Sequence, residues 1–286
     1  MVIALSTKEL RDAIGAALRE DVGPGDVTSL ATVPSGLEAR ADMVARDELT
    51  VCGLAFAGQS FRQVSRKITV KCLVEDGSRA RRGTILMQVR GPARAILTAE
   101  RVALNFIQRL SGVATLTAQF VAAVAGTGAR ILDTRKTTPG WRRFEKYAVA
   151  CGGGRNHRLG LFDLVLIKDN HLAALRQEPG GAIAAAVRRA RQMYPRLKVE
   201  VEADSLAQVA EAVAAGADLI LLDNMTPAQL RKAVALVGGR CLTEASGGIQ
   251  LGNVPAVART GVDFISVGAL THSAPAVDIG LDFLTS

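Results

Sequence analysis

The sequence is poor in aromatic residues and lacks any apolar run long enough to cross a bilayer. Aromatic side chains make up 4% of the 286 residues, and Lys and Arg form no long block. Nucleic-acid binders of the basic, base-stacking kind need both features. The longest apolar runs, such as residues 219–223, fall far below the roughly 20 residues of a transmembrane helix. We therefore expect no nucleic-acid partner and no membrane association.

Closely spaced cysteines and a recognisable export signal are also lacking. The four cysteines are scattered, with no CxxC motif and no Cys/His pair at zinc-binding spacing. The first 21 residues contain no basic leader before their short apolar stretch, and they run directly into a charged helical repeat. We expect reduced thiols and a cytoplasmic location.

What the chain does have is a large apolar content and positive charge. With 286 residues and 49% hydrophobic residues, it can bury a sizeable core in one large or two unequal domains. The formal net charge of +8 indicates an anionic partner. Because the features of nucleic-acid binders are missing, a small anionic ligand is favoured.

The pattern of elements changes at about residue 112. Before it, a helical repeat at 7–20 ends in a Gly/Pro turn, and short β-like runs lead into the helix-like stretch AILTAERVALNFIQRL, which predicts a mixed α+β domain. After it, apolar strand candidates alternate with helix-like segments, which predicts parallel β/α units. These candidates are 130–136, 164–168, 198–203, 219–223, 241–247 and 264–270.

Two architectures fit such units, a complete or partial β/α barrel and a doubly wound open sheet. In residues 198–203 (KVEVEA), charged side chains alternate with small apolar ones. A strand covered by helices on both faces should be almost continuously apolar. The alternation therefore favours a barrel with a polar lumen, although an exposed edge strand would give the same pattern.

The polar residues that follow the strands point to a charged ligand. Basic groups follow the first two strands, acidic groups lie in the middle two, and Gly-rich turns at 246–248 and 267–269 follow the last two. Carboxylates hold Mg²⁺ or ribose hydroxyls, while the backbone N–H groups of Gly-rich turns cradle phosphate. The pattern predicts a ligand with a hydroxylated or metal-bound part and free anionic groups.

The segment CGGGRNHRLG (151–160) combines a glycine run at 152–154 with Arg155, His157 and Arg158. Such a run costs backbone entropy that ordinary packing does not require, which is typical of a functional loop. For His157, which is flanked by two arginines, an anion-binding role is favoured over a structural one.

Together these segments resemble the quinolinate phosphoribosyltransferase family, whose motifs occur here in that family's order over nearly the whole chain. The matching segments are EDVGPGDVTS (20–29), AERVALNFIQRLSGVAT (99–115), DTRKTTPG (133–140), EKYAVACGGGRNHRLGLFD (145–163), LIKDNH (166–171), VEVEADS (199–205), LLDN (221–224), EASGGI (244–249) and GVDFISVGALTHS (261–273).

The resemblance implies a fold class, α/β, with an N-terminal α+β open-faced sandwich domain at 1–112 and an incomplete β/α barrel at 113–270. A C-terminal tail at 271–286 is expected to pack back on the N-terminal domain. The resemblance also implies a homodimer in which Arg101 completes the neighbouring site. The implied reaction converts quinolinate and phosphoribosyl pyrophosphate into nicotinate mononucleotide, pyrophosphate and carbon dioxide, with Mg²⁺ as cofactor, at the entry to de novo NAD synthesis.

Site residues follow from the matched motifs. The resemblance assigns quinolinate to Arg101, Thr134, Arg135, His157, Arg158 and Lys168. It assigns phosphoribosyl pyrophosphate to Lys136, Lys168, Glu202, Asp223, Ser246, Gly247, Gly248, Gly268 and Ala269. Lys136, Lys168, Glu202 and Asp223 are the implied catalytic residues, and Glu202 and Asp223 would hold the metal directly or through water.

The implied chemistry needs no protein nucleophile, so we expect no Schiff base at Lys168. Three other interpretations stay open on the sequence. One is a molybdate-operon-associated barrel homologue with a different acceptor substrate, and another is a basic nucleic-acid-binding module. The third is a sugar-phosphate lyase or aldolase with a Schiff base at Lys168. The sequence leaves the roles of Trp141, Asn170 and His171 unassigned.

Overall fold

The computed structural model describes residues 4–284 and separates into two compact units that are not continuous in sequence. The first unit contains the chain up to Ala118, the segment Arg143–Gly153 and the chain from Ser273 onward. The second contains Gln119–Arg142 and Gly154–His272. The boundaries expected from sequence, after residues 112 and 270, stay predictions.

Helices and strands follow one another along the described residues in an order that changes between the two units. They are α1 (Thr7–Val22), α2 (Val27–Thr32), β1 (Glu38–Ala45), β2 (Leu49–Thr50), α3 (Leu54–Val64), β3 (Thr69–Cys72), β4 (Arg79–Ala80), β5 (Ile85–Pro92), α4 (Ala93–Ala123), β6 (Arg130–Leu132), α5 (Arg142–Cys151), β7 (Val165–Ile167), α6 (Asp169–Ala173), α7 (Ala182–Met193), β8 (Val199–Ala203), α8 (Leu206–Ala214), β9 (Leu219–Asp223), α9 (Pro227–Val237), β10 (Leu242–Ser246), α10 (Val254–Ala258), β11 (Phe264–Ser266), α11 (Ala269–His272) and β12 (Ile279–Phe283).

The first unit is built on an antiparallel sheet with the strand order β12-β1-β5-β3. In its centre Met43 of β1 pairs in register with Met87 of β5 and, on the other side, with Leu281 of β12. Both methionines are fully buried, and they share a core cluster with Phe61 of α3 and Ile96 of α4. The C-terminal strand therefore completes a sheet that begins near the N-terminus.

Local sequence explains where the helices of this unit begin. Ser6 accepts a hydrogen bond from the Glu9 backbone N–H and the Glu9 carboxylate returns to Ser6, so α1 starts with a capping box. At the start of α3, the Asp76 carboxylate accepts hydrogen bonds from the backbone N–H groups of Gly53 and Leu54. These carboxylates satisfy donors that a helix leaves unpaired in its first turn.

The second unit is a parallel sheet of six strands in the order β6-β11-β10-β9-β8-β7. Helices intervene between successive strands, as the β/α pattern predicts. Strands β6 and β7 stand at opposite ends of the order, so the barrel is incomplete. The fold class predicted from the sequence is confirmed.

Strand β8 decides between the two explanations of its alternating charges. It pairs with β7 on one side and β9 on the other, so the edge-strand alternative is wrong. Val199 and Val201 are fully buried, while Glu202 lines a cavity. The acidic side chains therefore face the lumen of the barrel, and the valines pack away from it.

Capping residues end the loops between the later strands and start the next helices. Ser205 accepts a hydrogen bond from the Gln208 N–H at the start of α8. Thr226 and Gln229 form a capping box before α9, with Pro227 at the first helical position. In the part of the chain that is described, no helix is both long and apolar enough to span a membrane.

Candidate active site

A cavity of about 580 Å³ opens at the carboxyl ends of the parallel strands in the second unit. Ligand sites of β/α folds lie at this edge because the loops that follow the strands converge there. The lining residues come from strands β7 to β11 and from the loops that follow the strands of this sheet. They are Thr134, Arg135, Lys136, His157, Arg158, Leu166, Lys168, Glu202, Leu221, Asp223, Asn224, Glu244, Ser246, Gly247, Gly248 and Ser266.

The cavity lining includes all of the site residues predicted from sequence except Arg101, Gly268 and Ala269. Gly268 lies beside the lining, since a Cβ built there would be 3.2 Å from the Lys136 Cδ. Ala269 begins α11, directly after Gly268. Arg101 is an exposed residue of α4 in the first unit.

A buried carboxylate shapes the basic loop that follows β6. Asp133 is fully buried, and its two oxygens accept hydrogen bonds from the His157 backbone N–H (2.8 Å) and the Asn156 side-chain amide (2.7 Å). Arg155 forms a parallel bridge with Leu132, so the loop after the glycine run adds to the β6 edge of the sheet. The segment that carries His157 and Arg158 is thereby fixed beside the one that carries Arg135.

Arg135 and Arg158 concentrate positive charge on one side of the cavity. Burial and the neighbouring Arg135 charge together lower the pKa of Arg158. Within residues 4–284, the buried Nε of Arg135 has no hydrogen-bond partner. A buried guanidinium donor left without an acceptor favours an anionic ligand, and a planar guanidinium can bind a carboxylate through two parallel hydrogen bonds.

Acidic groups from β8 and β9 occupy another part of the lining. The Lys168 Nζ lies 3.3 Å from the Glu202 Oε2, and the Glu202 side chain is only 17% exposed. Glu202 pairs in register with Leu221 of β9, and Asp223 stands two residues further along that strand. Because side chains alternate along a strand, Glu202 and Asp223 project from the same face of the sheet.

These two carboxylates fit a hard divalent cation. Both line the same cavity, and Mg²⁺ binds through one or two carboxylates together with water and substrate phosphates. The Asp223 Oδ2 also accepts a hydrogen bond from the Asn224 side-chain amide at 2.6 Å. This contact orients the carboxylate and leaves its other oxygen available for a ligand.

The backbone angle and the close neighbours of Gly247 both favour glycine at the centre of the turn at 246–248. Gly247 has a φ of 93°, and a Cβ added there would lie 2.1 Å from the Asn224 Oδ1. The Asn224 backbone N–H donates to the Ser246 carbonyl at 2.9 Å, which joins this turn to the end of β9. The absence of side chains lets a ligand approach the backbone closely, as phosphate-binding turns require.

Beneath the basic loop lies a cluster of His157, Glu200 and Glu244, and sequence reasoning assigned no role to the two glutamates. The His157 Nε2 lies 3.2 Å from the Glu200 Oε2 and 3.4 Å from the Glu244 Oε2, and both glutamates are at most 1% exposed. The Ser266 hydroxyl donates to the other oxygen of Glu244. The alternation in β8 predicted that Glu200 faces the lumen. Its contact with His157 and its closeness to Glu244 depend on the fold and could not be predicted from that pattern.

The electrostatics of this cluster follow from its burial. Burial lowers the pKa of His157, but hydrogen bonding and attraction from Glu200 and Glu244 outweigh it and raise that pKa to about 10. Burial, with a smaller contribution from Glu244, raises the pKa of Glu200. The Arg158 backbone N–H donates to the His157 Nδ1 at 2.7 Å, and Nδ1 can accept only while it carries no proton. This contact therefore works against the charged ring that the two carboxylates favour, and in the neutral ring the proton lies on Nε2, toward the glutamates.

The end of β7 shows what one of the unassigned residues does. The Lys168 backbone N–H donates to the His171 Nδ1 at 2.9 Å, so His171 caps the start of α6. Asn170 forms a backbone hydrogen bond to the Asp169 side chain. Neither residue lines the cavity.

Comparison with known proteins gives matches across both units. A family model described as quinolinate phosphoribosyl transferase, C-terminal domain, matches residues 113–282, and the model of the N-terminal domain of the same family matches residues 26–111.

Curated relatives and solved structures agree with these models. The chain is 46% identical over 278 residues to the nicotinate-nucleotide pyrophosphorylase [carboxylating] of Mycobacterium leprae, with 95% of this chain and 96% of the relative covered. It is 42% identical over 279 residues to the probable enzyme of the same name from Bacillus subtilis, covering 97% and 94%. The structure of the nicotinate-nucleotide pyrophosphorylase from Francisella tularensis superimposes with a TM-score of 0.93 at 38% identity, covering 99% of each chain.

Proposed function

The chain belongs to the quinolinate phosphoribosyltransferase family, and we propose that it transfers phosphoribosyl from phosphoribosyl pyrophosphate to quinolinate with decarboxylation. The products are nicotinate mononucleotide, pyrophosphate and carbon dioxide. One observation carries the proposal most directly. A single cavity joins paired arginines, two carboxylates on neighbouring strands and a glycine turn that can receive phosphate.

Quinolinate, a dicarboxylate, binds at the basic side of the cavity. Arg135 and Arg158 face its carboxylates, with Thr134 and Lys168 beside them. Two features support this assignment, namely the unpaired Nε of Arg135 and the mutual repulsion of two adjacent guanidinium groups, which an incoming dianion relieves. His157 belongs to this side, and its contacts with Glu200, Glu244 and Arg158 suit it to hold the loop in place.

Phosphoribosyl pyrophosphate binds along the acidic and glycine-rich side. Glu202 and Asp223 hold its ribose hydroxyls, and Lys136 and Lys168 face its phosphates. The 5′-phosphate lies against the turn at 246–248, with Gly268 and Ala269 at the neighbouring strand end. The open space beside Gly248, where an added Cβ would meet no atom within 4 Å, supports the phosphate assignment.

Mg²⁺ is the cofactor that this arrangement suits. Glu202 and Asp223 would hold it directly or through water, and when bound it neutralises negative charge on the leaving pyrophosphate. The protein residues act around it. Lys136 and Lys168 attract the same phosphates, and Glu202 orients Lys168 through the 3.3 Å ion pair.

Catalysis then consists of positioning and charge stabilisation. The pyridine nitrogen of quinolinate attacks the anomeric carbon while the bond to pyrophosphate breaks. The ribosyl group carries positive charge in this transition state, and the carboxylates of Glu202 and Asp223 stabilise it. The ring nitrogen is then cationic, so it stabilises the electron pair left at C2 when carbon dioxide departs, and a proton replaces the carboxylate. Lys168 acts as an ammonium ion and forms no Schiff base.

The active form is a cytoplasmic homodimer in which Arg101 reaches the site of the neighbouring subunit. The exposure of Arg101 on α4, outside the unit that carries the cavity, is consistent with this role.

Purified protein incubated with quinolinate, phosphoribosyl pyrophosphate and Mg²⁺ should form nicotinate mononucleotide, which chromatography detects. Excess EDTA should abolish turnover, and added Mg²⁺ should restore it. Absence of product from the wild type would refute the assignment, and so would undiminished product from Lys168→Ala. Borohydride trapping of a substrate on Lys168 would favour the lyase or aldolase alternative. Turnover with another acceptor but not with quinolinate would favour the molybdate-operon homologue.

A further inference from the structure

Two cysteines of the first unit, Cys52 and Cys151, lie close together although they are 99 positions apart in sequence. The two sulfur atoms and a carboxylate oxygen of Asp76 all lie within 4.8 Å of one another. Cys52 follows β2 and is fully buried, whereas Cys151 ends α5 and is partly exposed. The fold thus creates a dithiol that the scattered cysteine spacing did not suggest.

The main chain around Cys52 is fixed. Its backbone N–H donates to the Ser111 hydroxyl at 2.9 Å, and that hydroxyl donates to the Cys52 carbonyl at 3.0 Å. This two-way contact holds the loop between β2 and α3 against the middle of α4. The backbone position from which the Cys52 side chain extends is therefore fixed.

The chain after Cys151 is equally constrained. A Cβ at Gly152 would lie 2.4 Å from the Ala114 carbonyl oxygen and 2.6 Å from the Thr117 Cβ. Only glycine can follow Cys151 at this closeness to α4. Both cysteines are consequently held at their positions by contacts to one helix, with their sulfur atoms within 4.8 Å of each other.

The carboxylate in the cluster already has partners, which favours thiol chemistry over metal binding. One Asp76 oxygen accepts hydrogen bonds from the N–H groups of Gly53 and Leu54, and the other accepts from the Tyr147 hydroxyl at 2.8 Å. Asp76 therefore caps α3 and anchors α5. Two thiols without a further unengaged ligand fall short of the four ligands of a structural zinc site.

The two thiols differ in a way that assigns their roles. Cys151 is the more accessible, and a hydrogen bond from the Cys52 thiol lowers its pKa. Burial raises the pKa of the Cys52 thiol. The thiolate is the reactive form of cysteine, so Cys151 is the sulfur that an oxidant meets first and Cys52 is the one that follows.

We propose that Cys52 and Cys151 form a reversible intramolecular disulfide when the protein meets a peroxide. The Cys151 thiolate attacks the O–O bond, which gives a sulfenic acid and releases hydroxide. The Cys52 sulfur then attacks the sulfenic sulfur, so that the S–S bond forms and the S–O bond breaks. Two thiols and one hydrogen peroxide yield one disulfide and two waters, and a dithiol reductant reverses the reaction.

The full-length protein with Cys72→Ser and Cys241→Ser isolates the pair, because the structure describes four free cysteines in all. After treatment with hydrogen peroxide, a thiol assay should find that both remaining thiols of each chain have reacted. Non-reducing gels should still show a single chain, because the disulfide forms within it. Mass spectrometry should find the peptides of Cys52 and Cys151 joined with the loss of two hydrogens. Dithiothreitol should restore both thiols.

The matched control keeps Cys72 and Cys241 and carries Cys52→Ser and Cys151→Ser instead. It should form no disulfide within a chain under the same conditions. A single Cys52→Ser variant should trap Cys151 as a sulfenic acid that a dimedone probe labels, which tests the order of the two steps and requires only that the variant fold.

Three results would overturn the proposal. Cys151 could pass to a sulfinic acid in the Cys72→Ser/Cys241→Ser protein while Cys52 stays a thiol. Disulfides could form equally in the matched control. The protein as purified could carry one equivalent of zinc, with both thiols reacting only after chelation, and the cluster would then be a metal site.

Discussion

Replacing Gly247 with alanine should damage both the stability of the barrel unit and the use of phosphoribosyl pyrophosphate. A Cβ at this position would lie 2.1 Å from the Asn224 Oδ1, 2.6 Å from the Cγ and 3.0 Å from the backbone nitrogen. The Asn224 side chain has to move, and its 2.6 Å hydrogen bond to the Asp223 carboxylate is then lost. The φ of 93° adds strain, because alanine rarely adopts it.

The size of the effect follows from these two losses. Backbone strain at a positive φ costs about 1–3 kcal/mol. A hydrogen bond to a charged acceptor contributes about 1.5–3 kcal/mol. Gly247→Ala should therefore lower the free energy of unfolding by roughly 3–5 kcal/mol, measured by urea denaturation. If half or more of this free energy is also lost from transition-state binding at the turn, kcat/KM for phosphoribosyl pyrophosphate should fall by about 10²-fold. The conversion is about 1.4 kcal/mol per tenfold change.

Two further variants separate the causes. Gly238→Ala has a similar positive φ, 57°, but the nearest atom to its added Cβ is the Ala235 carbonyl oxygen at 3.6 Å. It should lose only about 1–2 kcal/mol and keep full activity, since it ends α9 away from the cavity. In Gly247→Ala/Asn224→Ala the closest contact is gone, so the double variant should be destabilised by at least about 1 kcal/mol less than the sum of the singles.

The comparison with Gly238→Ala tests whether contact with Asn224 is the reason for glycine at position 247. If Gly247→Ala lost no more unfolding free energy than Gly238→Ala, steric contact with Asn224 would not be the reason for glycine here. Additivity of Gly247→Ala and Asn224→Ala would lead to the same conclusion. The quinolinate dissociation constant, measured by calorimetry without the second substrate, should stay within about threefold of wild type in every variant that folds.

Further predictions concern binding, assembly and acid stability. Arg158→Ala should raise the KM for quinolinate by about 10²-fold with a smaller change for phosphoribosyl pyrophosphate, because a charged hydrogen-bond donor is lost from one substrate only; equal effects on both constants would contradict the assignment. Arg101→Ala and Lys168→Ala should each be inactive on their own. Refolding the two variants together should restore about a quarter of wild-type activity, because half of the dimers are mixed and each mixed dimer has one intact site of two. Absence of recovery would exclude a site shared between subunits. Hydrogen bonds from Ser6 and the charge of Arg143 lower the pKa of Glu9 from 4.5 to about 2, so its stabilisation is complete above pH 4.5 and is lost as the pH falls toward 2. Glu9→Gln should cost under about 1 kcal/mol at neutral pH, since Glu9 is solvent-accessible, and the difference from wild type should vanish near pH 2 in denaturation experiments.

Much of the fold could be predicted because local patterns determine it. Alternating strands and helices after residue 112 are visible in the sequence and recur in the structure. The polar ends of the strands were predicted to meet because all parallel strands present the same edge. The lining of the cavity by residues from β7 to β11 follows from that rule alone.

Local sequence patterns do not specify non-local pairings, although the family resemblance predicts that the C-terminal tail packs on the N-terminal domain. Nothing local shows that β12 pairs with β1, or that α5 groups with the first unit while the loop after it groups with the second. The same limit hid the cluster of His157, Glu200 and Glu244, and the closeness of Cys52 to Cys151. Each depends on contacts between segments separated by more than 40 residues, which the order of strands determines.

The buried Glu200 offsets part of the positive charge that Arg135 and Arg158 bring to the cavity. Arg135 and Arg158 repel each other, and Glu200 opposes the effect by attraction to Arg158. Glu200 thereby offsets part of the repulsion between the two guanidinium groups. Glu200 and Glu202 are two positions apart on one strand and face the same lumen, yet the deeper one contacts His157 and the outer one contacts Lys168. Depth in the barrel therefore places one carboxylate against the basic loop and the other in the lining of the cavity.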